Sequence, residues 1–204
     1  GGYGSYDGLL FNAGINDKNV FGSGLSLGFN LELSGKQSNY DISLTNPRLR
    51  DSEYSLGGNL FSRKYIAYDY TEKSTGASIT SGRQLTRHLS GGLGYQYATI
   101  GYSDISANVT RPEDLENTTK SAVTPFLSFD NTDDYYIPRR GMSAGTNLEY
   151  AGLGGKEQYA KSYTRFSYFY GLEDAINYDI ILRYKARLGW IFNDSKISRG
   201  SKFY

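Results

Sequence analysis

Hydrophobic side chains recur at every second position along much of this chain. Between positions 25 and 34, Leu25, Leu27, Phe29, Leu31 and Leu33 alternate with Ser26, Gly28, Asn30, Glu32 and Ser34. That period of two predicts a strand with one apolar face and one wetted face. A longer run puts Tyr178, Ile180, Leu182, Tyr184, Ala186, Leu188, Trp190 and Phe192 on one side, with Asp179, Arg183, Lys185 and Arg187 on the other. At ~3.3 Å per residue it exceeds an ordinary globular strand and suits a tilted crossing of a bilayer. The same alternation appears in Leu9 to Ile15, Tyr40 to Leu44, Leu89 to Tyr97, Val123 to Phe129 and Met142 to Tyr150. Three stretches alternate less cleanly. Tyr54 to Tyr68 changes phase near Ser62 to Tyr65, as a β-bulge would make it do; Thr75 to Leu85 is mostly polar; Tyr159 to Tyr170 carries aromatics on both faces. With Gly1 to Tyr6 taken as the end of a strand, about eleven strands follow one another up and down, with no helical period.

The separators are of two kinds. Val20 to Gly24 and Leu85 to His88 are tight, whereas Tyr102 to Thr119 and Gly152 to Glu157 are longer and polar. Membrane barrels have short turns on the periplasmic side and longer loops outside, so the two kinds are expected at opposite ends.

Composition narrows the function classes. The 204 residues carry 22 Lys+Arg against 21 Asp+Glu, a net charge of +1, which offers no excess for nucleic acid. Cysteine is absent, which removes disulfides, thiolate metal sites and cysteine nucleophiles, and the lone His88 leaves little for an imidazole site or a hydrolytic triad. No enzyme is expected and no cofactor is implied. Mean hydropathy is −0.53, yet 20 Tyr, 10 Phe and 25 Gly suit long strands and tight turns. No stretch has the roughly twenty apolar residues of a membrane helix, a test that β-barrel strands always evade.

Alternation alone also fits a soluble β-sandwich acting as a binding module. Three features favour a membrane barrel. The apolar face is rich in Tyr, whose hydroxyls would need many partners in a dry core but sit well in interfacial girdles. Several runs reach ten or more residues. The opposite face carries Gly and Ser beside isolated charges such as Glu32, Glu149, Arg165 and Arg183, as a polar lumen would.

Several stretches together resemble the barrel of BamA-type outer-membrane assembly factors, a superfamily that includes TamA, two-partner secretion transporters and the Sam and Toc barrels. Gly1-Gly2-Tyr3-Gly4 with Gly8 to Ile15 is similar to its first hairpin, and Asn19 to Gly24 to its first periplasmic turn. Ser43 to Pro47 and Ser55 to Phe61 resemble the end of its fourth strand and the body of its fifth. Asp130 to Gly141 resembles the acidic Pro-x-x-Gly periplasmic turn between strands eight and nine, with Thr132 where many members carry Arg. Arg199 to Tyr204 looks like the approach to the sixth extracellular loop.

The resemblance implies an all-β, antiparallel up-and-down transmembrane barrel, of which residues 1–204 supply about the first eleven of sixteen strands, without the POTRA domains or the C-terminal strands. It implies a bacterial outer-membrane location and a role in folding and inserting β-barrel proteins through a lateral seam. The expected partners are the outer-membrane lipid bilayer, nascent β-barrel substrates and accessory periplasmic lipoproteins. A secretion or transport pore of the same superfamily remains an alternative.

Three groups of residues are candidate sites. Gly1, Gly2, Tyr3, Gly4, Ser5 and Tyr6 resemble the first strand at the seam, where a free edge can accept an extended chain; a Gly-rich terminus can equally fray. Asp130, Asn131, Asp133 and Asp134 have a calcium-like density of acids, but Thr132 and the missing sixth-position Gly break the EF-hand pattern. With Pro138 and Gly141 they read as a polar turn whose side chains bond backbone N–H groups. Lys161, Arg165, Arg183, Lys185 and Arg187 put basic charge on faces that adjacent strands would direct inward, to dock a loop or line an aqueous lumen. His88 reads as a solvated turn residue. The glycosylation-like triplets at Asn108 and Asn117 and the terminal Phe203-Tyr204 carry no weight.

Overall fold

A computed structural model describes residues 1–4, 8–107, 115–134, 136–173, 178 and 180–196. Ser5, Tyr6, the Asn108 triplet and Arg199 to Tyr204 lie outside them. The strands are β1 (Gly2–Gly4), β2 (Gly8–Asp17), β3 (Ser26–Leu33), β4 (Gln37–Asn46), β5 (Tyr54–Ile66), β6 (Thr71–Gln84), β7 (Leu89–Ser103), β8 (Thr118–Asp130), β9 (Gly141–Ala151), β10 (Gln158–Gly171) and β11 (Ile181–Lys196). All eleven form one antiparallel sheet in chain order, β1 to β11, with no crossover.

The two faces differ as the alternation requires. Leu9, Leu60, Leu93, Tyr150, Leu188 and Trp190 stand on one face and remain widely exposed, with no second layer over them. Every buried strand hydrophobe, namely Phe61, Ala98, Ile100, Tyr102, Ala122, Ala151, Tyr159 and Phe169, lies on the other face. A single sheet can bury one face only by curling around it. The sandwich alternative is therefore overturned: the apolar face meets no second sheet, and the buried face is the inside of a curved wall. An outer face this apolar is suited to lipid rather than water.

Three local expectations are corrected. No bulge interrupts β5, whose pairing runs unbroken from Gln37↔Tyr65 to Asn46↔Leu56 on one side and from Tyr54↔Arg83 to Ile66↔Thr71 on the other. The phase change arises because Phe61, Arg63 and Tyr65 point inward, with Phe61 laid over Gly76, where a Cβ would come within 2.8 Å of its ring. A register shift occurs instead in β10, between Gln158 and Ala160. The last strand starts at Ile181 rather than Tyr178, after Leu172 N–H has bonded to Ile180 O to close the connection. Finally, segregation is incomplete: the tight separators Val20 to Gly24 and Leu85 to His88 share one rim and the longer 104–117 and 152–157 links the other, as expected, but other short links break the pattern. The three-residue link 34–36 shares a rim with the long link 104–117.

The opposite rim holds a repeated turn. After β2, Asp17 Oδ1 accepts Asn19 N–H at 2.9 Å, and Ser23 Oγ donates to Val20 O at 2.6 Å. After β4, Asn46 Oδ1 accepts Arg48 N–H at 3.0 Å, and Ser52 Oγ donates to Leu49 O at 2.6 Å. Phe21 and Arg50 occupy the equivalent left-handed position, each with φ of 52°. Two different sequences thus close by one hydrogen-bond scheme built from Asx and Ser side chains.

Candidate functional site

The first strand is the least anchored element. β1 meets β2 through Gly2↔Leu10, Tyr3↔Leu9 and Gly4↔Gly8 alone, whereas every other ladder has at least seven register pairs. A Cβ on Gly2 would meet nothing within 4 Å, so close packing does not demand glycine there. What glycine does is weaken the strand. Among the described residues the far edge of β1 has no partner strand.

The turn from Asp130 to Gly141 uses its acids as backbone acceptors. Asp133 Oδ1 receives the N–H groups of Arg139 at 2.9 Å and Arg140 at 3.0 Å. Asp134 Oδ1 receives those of Tyr136 and Ile137, Asp130 Oδ1 those of Thr132 N–H and Oγ1–H, and Asn131 Oδ1 that of Met142. Gly141 sits at φ +102°, and a Cβ there would lie 2.6 Å from Asn131 O. His88 is exposed and ties this turn to its neighbour, with its Nδ1 3.0 Å from Asp130 O. Arg139 pairs with Glu173 at 2.6 Å, linking the turn to the β10–β11 connection.

The N–H groups of Arg140 and then Arg139 hold the Asp133 carboxyl below its ordinary value of 3.8. A depressed folded value means that the turn gains stability above the ordinary pKa and loses it as pH falls through the lower one. Hydrogen exchange at Arg139 and Arg140 should therefore accelerate as pH drops below about 4, after correction for intrinsic rates. D133N, which keeps an acceptor without a titrating charge, should show no such step.

Arg165, Arg183, Lys185 and Arg187 share the inner face of β10 and β11. Arg165 stands opposite Arg187, and Lys185 opposite Ser167. The Arg183 guanidinium lies 5.2 Å from the centre of the Phe169 ring. All four stay exposed, whereas Lys161 packs into a tighter cluster that sequence reasoning did not assemble. Glu149 Oε1 accepts from Lys120 Nζ at 2.9 Å, from Lys161 Nζ at 3.4 Å and from the Tyr159 hydroxyl. Both ammonium groups also lie over the Tyr159 ring, at 5.9 and 5.5 Å. This cluster joins β8, β9 and β10 beside Thr124 and Pro125, where the β8–β9 ladder has no register pairs. Proline has no N–H to give a ladder, and Glu149, inside the unpaired stretch, reaches diagonally past the Ala122↔Ala151 pair to Lys120. A hairpin centred on Gly155 already places position 149 opposite 161, so this contact had a sequence signal.

The three groups occupy different places: an edge, a rim and an inner wall. Among the described residues none brings a nucleophile to a positioned base, and the arrangement presents a weakly paired strand, a turn of backbone-bonded acids and a basic inner face.

Residues 19–204 match the Omp85 superfamily domain. The chain is 27% identical over 177 residues to the outer membrane protein assembly factor BamA of Nitratidesulfovibrio vulgaris, covering 84% of this chain and 22% of that protein. It is 28% identical over 169 residues to BamA of Neorickettsia risticii, covering 79% and 23%. The chain thus spans under a quarter of the length of these curated relatives. Among solved structures, BamA from Haemophilus ducreyi lacking POTRA domains 1–3 superposes with a TM-score of 0.77 at 26% identity, over 93% of this chain and 39% of that one.

Proposed function

The chain belongs to the Omp85 superfamily, and on that premise we propose that it supplies the first eleven strands of a sixteen-stranded assembly factor that folds β-barrel proteins into the outer membrane. The observation that carries this reading is the three-pair, glycine-rich attachment of β1. A strand held by so few pairs gives way readily, and once released its N–H and C=O groups pair with any extended chain that reaches them, whatever its side chains. A nascent strand paired there enters the bilayer with its backbone already bonded. The step needs no covalent chemistry, cofactor or nucleotide.

The strand lengths support the same site. β2, β3 and β4 have 10, 8 and 10 residues, against 13 to 15 in β5 to β8. A lower wall beside β1 thins the adjoining bilayer. The rim bearing Asp130 to Gly141 faces the periplasm in this reading and is the surface offered to accessory lipoproteins. Arg165, Arg183, Lys185 and Arg187 line the lumen.

The test places one cysteine at Tyr3 of the full-length protein, since this chain has none of its own. A series of single cysteines runs along the terminal strand of a stalled substrate barrel. Disulfides are expected at alternate substrate positions with Y3C and at none with L60C, which sits on the outer face of β5. Equal crosslinking of both, or secretion of a partner without any β1 crosslink, removes the insertase reading and favours a transport pore.

A further inference from the structure

The outer face changes character towards the rim that carries the 34–36, 67–70 and 152–157 connections. One cross-sheet row reads Ile42, Leu60, Ala77 and Tyr97. From β4 to β8 the next row towards that rim is hydroxylic, with Tyr40, Ser62, Thr75, Thr99 and Thr119 in direct register. Beyond it, Lys64 and Lys73 stand directly opposite each other.

Like charges facing across a ladder destabilise it unless something neutralises them. Neither lysine makes an ion pair among the described residues, and neither does Lys156, whose N–H bonds Thr119 O at 2.9 Å. A hollow of about 440 Å³ lies between Lys73 and Lys156, floored by Thr75, Thr99, Gly101 and Thr119. Gly101 keeps it open, since a Cβ there would meet only Asn117 Oδ1, at 3.5 Å.

We propose that this hollow binds the phosphorylated headgroup of a membrane lipid, with Lys73 and Lys156, supported by Lys64 on the neighbouring strand, neutralising the phosphate and the hydroxyls of Thr75 and Thr119 donating to its oxygens. Phosphate oxygens accept from several ammonium and hydroxyl donors at once, and the two lysines that line the hollow, neither ion-paired among the described residues, supply both kinds together with its hydroxyl floor. The occupant is a lipid rather than a soluble anion, because the hollow opens on the lipid-facing surface one row above the apolar belt. Acyl chains of a lipid held there run down over Tyr97 and, one row lower, Ile79 and Tyr95. The site rests on the barrel reading above, which puts this rim at the outer leaflet.

The experiment uses the full-length protein in phosphatidylcholine nanodiscs doped with diphosphoryl lipid A, and native mass spectrometry to measure the lipid A it retains. Each lysine near an anionic surface contributes roughly a fivefold factor, so K73Q/K156Q should retain about twenty-five-fold less. R50Q, at the opposite rim, should retain as much as the unsubstituted protein. Retention in K73Q/K156Q equal to that of the unsubstituted protein overturns the site, and so does full displacement of lipid A by inorganic phosphate, which would mark a soluble anion as the ligand. Heat-modifiable gel mobility is read on the same samples. Its absence from the unsubstituted protein overturns the barrel reading and the site with it. Its presence together with undiminished retention in the double variant overturns the site alone. If only the double variant loses heat-modifiable mobility, the single variants K73Q and K156Q decide, each with an expected fivefold loss.

Discussion

Replacing Gly92 with valine should abolish the folded, heat-modifiable form of the full-length protein. Gly92 pairs directly with Gly82, and the Phe126 ring covers both on the inner face. A Cβ at Gly92 would stand 2.2 Å from Ser81 O, 2.5 Å from the Phe126 ring and 2.8 Å from Gly82 Cα. The ring could swing away, but two of the three obstacles are backbone, held by ladders on both sides. Overpacking usually costs about 1–3 kcal/mol, and a backbone clash of this depth belongs at or beyond the top of that range. Gly58 provides the control. It lies on the outer face, and a Cβ there meets nothing within 4 Å. G58A should unfold in urea within about 0.5 kcal/mol of the unsubstituted protein. A folded G92V with an unchanged urea midpoint would show that the inner face is not packed as described.

Removing the Glu149 carboxylate should have the next largest effect. Its side chain is 15% exposed, and it neutralises Lys120 and Lys161, which are 10% and 20% exposed. E149A leaves two ammonium groups facing each other over one tyrosine ring, without their shared acceptor. Breaking a buried pair by deleting one partner costs about 3–5 kcal/mol, and water in the lumen lowers the expectation here to about 2–4 kcal/mol. The double variant E149L/K161M removes charge from both sides and should recover much of the loss. Urea unfolding of both single variants and their double decides between coupling and independence. If E149L and K161M simply add, the three side chains do not act as one cluster.

The strands were legible because one face had to be apolar. Leu25 to Ser34 is a strand in the structure almost residue for residue, since a single lipid-facing stripe leaves one solution for a period of two. The phase change at Ser62 to Tyr65 misled because large side chains are permitted on the inner face wherever a glycine opposite makes room. Phe61 and Gly76 are such a pair, set on neighbouring strands, and no local pattern links them. Arg165, Arg183, Lys185 and Arg187 could be placed on one face by counting alone. Lys120 could not be joined to Glu149, because the contact runs diagonally past Ala122 and depends on a register that hydrophobicity leaves open. The acids of the Asp130 to Gly141 turn were readable as backbone acceptors because Asp and Asn beside Pro and Gly have few other local uses.

The turn scheme shared by Asp17 to Ser23 and Asn46 to Ser52 bears on how a sheet this wide avoids accumulating mistakes. In a chain-ordered meander each strand is measured off from the one before. A slip of one residue would turn every later apolar row inward. Turns closed by their own side chains reset that measurement at these two hairpins, so an error made before one of them is not inherited by the strand after it. Alignment of β2 to β5 is then renewed locally at both places, without any search across distant parts of the sequence.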